Sequence, residues 1–351
     1  MMGKLKKLTG YRLFLPLSCL IIVLLINLIT TPTFFKITIN NGVLYGYIID
    51  VINRASELVV LAVGMTLVVS ASAGTDISVG AVMAVSAAVC TRVLAGGEVS
   101  VNEYANPYIL AVLAALAVAV VCGGFNGLLV AKLKIQPMVA TLILFTAGRG
   151  ISQLVTNGQI TYIRVDGYKL LGNNIPGIPI PTPIFVAVIV VALTYILLNK
   201  TAMGMYIQSV GINERASRLV GLKSVKIIWM AYAFCGLCAG IAGLVASSRI
   251  YSADANNIGL NMELDAIAAV ALGGNSLGGG RFSLLGSVIG AYTIQALTTT
   301  LYAMSVPADQ IPVYKAIVVI LIVAVQSEEL KKFRKRLASR HASGNVEGGV
   351  A

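Results

Sequence analysis

The stretch Leu58-Val59-Val60-Leu61-Ala62-Val63-Gly64-Met65-Thr66-Leu67-Val68-Val69-Ser70-Ala71-Ser72-Ala73, followed by Gly74-Thr75-Asp76-Ile77-Ser78 and then Val79-Gly80-Ala81-Val82-Met83-Ala84, decides the fold. Its first part closes an apolar run over 48–73, long enough to cross a bilayer as a helix. A polar turn comes next, and a second apolar run follows over 79–95. Two hydrophobic segments joined by five residues, four of them small or polar, are the signature of consecutive membrane spans.

The rest of the chain repeats that pattern. Of 351 residues, 57% are hydrophobic and only 11% charged, against about 25% charged in an ordinary soluble domain. Mean hydropathy is +0.87. A water-exposed surface cannot be built from so few charges. The spacing predicts further spans over 11–31, 108–131, 137–156, 184–199, 227–248, 282–304 and 311–325, with a short or broken one over 263–274. The fold class expected is an all-α polytopic membrane protein of about ten transmembrane helices, with both termini cytoplasmic. Residues 1–330 form the transmembrane domain and 331–351 a basic tail. The run at 11–31 is too long for a signal-peptide core and reads as a retained first span.

The net charge of +12 reports topology rather than a nucleic-acid partner. Its cations gather at Lys4, Lys6, Lys7 and Arg12, at Lys132 and Lys134, at Lys200, Arg215, Arg218, Lys223 and Lys226, at Arg281, and through Lys331 to Arg340. Ten crossings place all of these on one side, as the positive-inside rule requires. The segments 157–183, rich in Pro and Gly, and 249–262 fall on the other side as irregular loops.

Gly74 and Gly80 before one span have the spacing of Gly280 and Gly286 before another, a hint of internal repetition. Gly123, Gly124 and Gly127, Gly236, Gly240 and Gly243, and Gly286 and Gly290 lie within spans. Small residues at these intervals serve close helix packing first and contact with cargo second.

Catalytic chemistry is missing. His341, the only histidine, lies in the tail, and the Cys235/Cys238 pair sits in an apolar helix without a second ligand pair. Residues 274–280 lack the Lys and Ser/Thr of a phosphate-binding loop. The chain is therefore not an enzyme by itself and needs no metal or cofactor. Its candidate functional groups are the polar residues of the spans: Asn126, Arg149, Gln153 and Gln295 at depth, and the acids Asp76, Glu263 and Asp265 near span ends. Each is read either as an interhelical hydrogen-bonding group or as part of a translocation path. Thr66, Ser70, Ser72 and Thr141 make the deep polar set mostly neutral, which suits a polyol better than an ion relay. Arg54 and Glu57 read as a helical neighbour pair.

The cytoplasmic connection 200–226 contains Gly211-Ile212-Asn213-Glu214-Arg215-Ala216-Ser217-Arg218-Leu219-Val220-Gly221. It is helix-prone and amphipathic, with Ile212, Ala216 and Leu219 on one side. Such a helix either docks a soluble partner or lies on anionic lipid through Arg215 and Arg218.

Several motifs resemble those of the permeases of ribose/xylose/arabinose-type ATP-binding-cassette sugar importers. The stretch 74–84 resembles that family's G-I-D-L-S-V-G-A-V-M-A, Asn126-Gly127-Leu128-Leu129-Val130 its N-G-x-x-V, and Ile135-Gln136-Pro137-Met138-Val139-Ala140-Thr141-Leu142 its I-x-P-F-I-A-T-L. Gly211 to Ala216 resembles its G-G-N-x-x-A-A, and Glu263 to Leu277 its E-L-D-A-I-A-A-V-x-x-G-G-T-S-L. The likeness covers 53–326 in order. It is strongest to the galactofuranose-importing subgroup, through Gln159-Ile160, 253–257 and 315–319; Thr75 and Ile212 depart from the usual pattern.

The resemblance implies a multi-pass permease of the bacterial inner membrane, working by alternating access as a dimer or beside a sister permease. ATP would be bound and hydrolysed by a partner ATPase with two nucleotide-binding domains. A periplasmic or lipid-anchored sugar-binding protein would dock on the loops 157–183 and 249–262. Gly211, Ile212, Asn213, Glu214, Arg215, Ala216 and Arg218 become the expected coupling segment. The competing expectations are an ion-coupled or facilitative sugar carrier and a permease for branched-chain amino acids.

Overall fold

The computed structural model describes residues 13–40 and 42–326; the basic start and the tail 331–351 lie outside them. The helices are α1 (Phe14–Thr30), α2 (Tyr47–Ser72), α3 (Val79–Ala95), α4 (Tyr108–Ala131), α5 (Pro137–Val155), α6 (Thr182–Lys200), α7 (Met203–Ile212), α8 (Glu214–Leu219), α9 (Ser224–Ile250), α10 (Met262–Leu272), α11 (Leu284–Ala303) and α12 (Ile311–Gln326). Five short strands join them: β1 (Thr38–Asn40), β2 (Val43–Tyr45), β3 (Ser100–Val101), β4 (Thr161–Ile163) and β5 (Ser252–Ala253). The order β3-β4-β5, parallel then antiparallel, ties three loops together at one end of the bundle. That sheet end contrasts with a basic end carrying Lys132, Lys134, Arg215, Arg218, Lys223 and Lys226.

Among the described residues, α2, α4, α5, α6, α9 and α11 are long and apolar enough to cross a membrane alone. The central helix α2 is buried along most of its length, wrapped by α9, α11 and α10. Where α4 meets α9, Gly123 and Gly236 let the backbones touch: a Cβ on either would collide with the other helix. The Gly286 and Gly290 positions of α11 pack in the same way on Gly273 and Ala269. Close packing therefore accounts for these span glycines. Cys235 and Cys238 are free, buried thiols on the α9 face against Gly64 of α2.

The residues 74–78 are not a surface turn. Asp76 and Ser78 are fully buried. Gly74 touches Pro137, the first residue of α5, whereas Gly148 of α5 touches Ala81. Eleven residues of α5 therefore match seven of this stretch, a climb of about 16 Å at the helical rise. The chain enters the bundle unwound and becomes helical only near mid-depth. On the other side of the molecule, 251–261 descends from the sheet end and turns into α10, whose 11 residues cover about 16 Å. Two of the ten expected crossings thus combine an irregular stretch with a short helix.

These two crossings are related. Helix α2 ends on left-handed Ala73 (φ 52°) and α9 on left-handed Tyr251 (φ 57°). Each is followed by an unwound stretch, a short helix, a long helix and a helix opened by proline, Pro137 in α5 and Pro312 in α12. The short helices point oppositely: α3 ends against Ile163 of the sheet end, α10 against Gly286 near the start of α11. The plan is an inverted repeat of α2–α5 and α9–α12. The repeat therefore relates α3 to α10, and the matching of Gly74/Gly80 with Gly280/Gly286, which relates α3 to α11, is corrected. Spacing of glycines follows local turn geometry, not the order of the elements.

Candidate functional site

Both short helices begin at the same depth, and their starts touch. A Cβ on Gly80 would run into the Gly259 carbonyl and Oε2 of Glu263. Around this contact lie Asp76, Asn126, Arg149, Gln153 and Glu263; the two acids sit at mid-depth and not near span ends as expected, because the unwound stretches carry them inward.

Unwound backbone inside a membrane must find its hydrogen bonds within the protein. On the α3 side, Oδ1 of Asp76 accepts from the Ser78 amide (2.9 Å) and hydroxyl (2.7 Å). Thr141 accepts from the Ile77 amide at 3.2 Å. Asn126 of α4 donates to Ser78 Oγ at 2.8 Å and stands 3.4 Å from Asp76 Oδ1, while its own Oδ1 is buried without a partner. On the α10 side, Arg149 of α5 donates to the carbonyls of Ala255 (2.9 Å) and Ile258 (2.5 Å). Gln153, one turn on, donates to Asn256 at 2.7 Å. Glu263 is 4% exposed, and its Oε2 has no hydrogen-bond partner.

The structure therefore unites Asp76 with Asn126, and Arg149 and Gln153 with the loop that leads into Glu263. Asp76, Arg149 and Gln153 hold the two unwound stretches in place. Asp265 faces away from this group and pairs with Lys315 of α12 at 2.6 Å. Gln295 stands apart, bonded only to Thr299 of its own helix at 3.3 Å. Near the sheet end, Glu57 pairs at 3.0 Å with Arg249 of α9, a cross-helix bond beyond the expected neighbour relation with Arg54.

At the basic end the segment 211–221 is two helices rather than one. Asn213 is extended (φ −156°, ψ 100°), breaks the run after α7, and caps α8 by accepting from the Ala216 amide at 3.0 Å. Asn side chains favour that local bond over a helix interior, which is why the amphipathic reading across Asn213 fails. Gly211 lies against the carbonyl of Ser70 and the amide of Gly280, which are themselves hydrogen-bonded at 2.9 Å. The end of α2, the link between α10 and α11, and α7 thus meet at one point. Glu214 is bonded to Arg218 and to Lys134 of the α4–α5 link. Partial burial pushes its carboxyl up, but the hydrogen bonds from Lys134 and Arg218 outweigh this and hold it below its ordinary value. Arg215, Ala216 and Arg218 are exposed, as are Ile212 (65%) and Leu219 (90%). A cavity of about 310 Å³ opens beside them, lined by Ser72, Lys134, Gln136, Gly211 and Glu214.

The residue reading missed Lys315 and the role of Lys134. A single lysine four residues into an otherwise apolar run was the available signal for Lys315. Nothing local distinguishes Lys134 from its basic neighbours.

The family described as the branched-chain amino acid transport system permease component matches residues 47–326. The galactofuranose transporter permease protein YtfT of Escherichia coli K12 is 43% identical over 92% of each chain. The fructose import permease protein FruF of Bifidobacterium longum is 37% identical, covering 96% of this chain and 94% of its own. The ribose import permease protein RbsC of Escherichia coli K12 is 35% identical, covering 89% of this chain and 93% of its own. No solved structure matches the chain. Taken with a bundle of apolar helices interrupted twice at mid-depth, these matches place the chain in the family of binding-protein-dependent transport permeases described as the branched-chain amino acid transport system permease component.

Proposed function

We propose that the chain is the membrane subunit of an ATP-driven importer for a small sugar of the kind that the relatives' names give: galactofuranose, fructose or ribose. The basic end faces the cytoplasm by the positive-inside rule, in the bacterial inner membrane. There α7 and α8 receive a separate ATPase with two nucleotide-binding domains, and ATP is bound by that subunit. The sheet end receives a sugar-binding protein. A second copy of this chain, or a sister permease, completes the path.

The observation that carries this reading is the junction at Gly211. Movement of α7 presses directly on the end of α2 and on the link before α11, the elements that lead into the two unwound crossings. α8, joined to that junction, is a lever whose outer face, with Arg215, Arg218 and Leu219, is exposed. Alternating access then follows if the ATPase binds the two permease conformations with different affinity. The relatives whose names give a cargo carry sugars, which favours a sugar over an amino-acid zwitterion.

The test is the double replacement Glu214→Ala/Arg215→Ala. Expected are normal membrane insertion, at least a tenfold loss of ATP-dependent uptake, and reduced recovery of the ATPase with the purified permease. Normal uptake would remove the coupling role from this segment.

A further inference from the structure

Between α10, α11 and α12 a groove of about 400 Å³ runs from the sheet end toward mid-depth. Its size is that of a small-ligand cleft. Along it lie Asn261, Asp265, Thr298, Tyr302 and Lys315, set among apolar residues such as Leu264 and Ile311. The Lys315 ammonium meets both oxygens of Asp265, at 2.6 and 2.8 Å, and the two side chains keep 16% and 22% of their surface open to the groove or its mouth.

Depth is the first clue. Ala269 packs on Gly290 and Gly273 on Gly286, so Asp265 lies level with about residue 294 of α11, ten residues or about 15 Å from the start of that helix. That is the middle of a hydrocarbon core of about 30 Å. Ionisable groups at such depth are rare, and they mark pathways for polar cargo unless they are sealed away. This pair is not sealed.

Chemistry is the second clue. The pair is neutral as a unit, yet it offers a carboxylate that accepts and an ammonium that donates. Asn261 can do both, and its exposed amide makes no hydrogen bond among the described residues. Tyr302 is 55% exposed and supplies an aromatic face with a hydroxyl at its edge. Donors and acceptors in balance beside an aromatic ring fit a neutral polyol; a phosphate would need net positive charge.

The geometry points to this groove as a subsite that holds the sugar on its way through the membrane, with Asp265 and Lys315 as its floor and Asn261 and Tyr302 as specificity-determining walls. The assignment rests on the importer reading above. The sugar's hydroxyls insert between Asp265 and Lys315 or bridge them, and the pair closes again once the sugar has left.

The experiment uses the whole transporter, permease with its ATPase and sugar-binding protein, in liposomes prepared with and without phosphatidylglycerol. Initial uptake of radiolabelled galactose, fructose and ribose is measured, with leucine alongside. Asn261→Ala and Tyr302→Ala leave the ion pair intact, and Asp265→Asn/Lys315→Gln removes both charges together so that neither is stranded. Expected are equal recovery of the assembled complex for every variant, at least a tenfold loss of uptake in the double variant, and at least a fivefold change in the ratio among the sugars in the two wall variants. A purely structural groove would slow all sugars by one factor, and unchanged ratios with a working unsubstituted complex overturn the subsite alone. Effects that appear only with phosphatidylglycerol, at constant ratios, mean a lipid occupant and overturn it too. An unsubstituted complex that moves leucine, or none of the three sugars, overturns the importer reading and the subsite with it.

Discussion

Asp76 shows how a buried carboxylate can be structural in a transport protein. Its Oδ1 takes the Ser78 amide and hydroxyl, so it closes the unwound stretch just before α3 begins. An asparagine can accept the same two bonds; an alanine leaves a buried amide and hydroxyl without their acceptor, at about 1–3 kcal/mol. Unfolding of the purified permease in detergent should therefore show Asp76→Ala destabilised by that amount and Asp76→Asn by much less, with uptake retained in the latter. Loss of uptake in a stable Asp76→Asn protein would show that the charge itself is used, as an ion-coupled carrier requires. That Asp76 matters is legible from its place between two apolar runs. That it is 2% exposed is not, because its burial depends on Met65 of α2 and Asn126 of α4 closing around it from other elements. Lys315 is the reverse case: visible as a lone charge in an apolar run, but meaningful only once α10 brings Asp265 beside it.

Helix bounds were the most readable feature at the scale of elements. The apolar runs over 79–95 and 108–131 end where α3 and α4 end, α3 on left-handed Gly96 and α4 at Lys132. The break at Asn213 was not readable, because α7 and α8 together keep an amphipathic pattern while a single side-chain bond divides them. That bond gives a direct prediction. Asn213→Ser keeps an acceptor at the cap and should transport normally; Asn213→Ala removes it, loosens α8 by about 1 kcal/mol, and should reduce uptake severalfold while expression stays constant. Equal uptake in both variants would mean that the six-residue helix need not be ordered for coupling. The unwound crossings escaped the sequence for a different reason. Gly74 to Ser78 has the composition of a surface turn, and only packing against α5 reveals its depth.

For the whole molecule, two inverted halves meet where α3 and α10 begin, and each half carries one crossing whose backbone is held by side chains instead of by helix hydrogen bonds. Such crossings can shift without breaking a helical ladder, which suits a protein that must open alternately to two sides. The loops of both halves join in the β3-β4-β5 sheet at one end, while Gly211 touches both halves at the other. That the chain is an all-α polytopic membrane protein was legible from hydropathy, and its family from the motifs at 74–84, 126–142 and 263–277. The inverted relation was not, since the halves share an order of elements more than a sequence. The account as a whole rests on energy arriving at the basic end from a separate ATPase, and the most direct test is the energy source. The permease should be reconstituted with its ATPase and sugar-binding protein, and sugar accumulation followed with ATP, with a non-hydrolysable analogue, and with an ionophore. Accumulation that requires ATP hydrolysis and ignores the ionophore is the predicted result; accumulation by the permease alone that collapses with the ion gradient would contradict it.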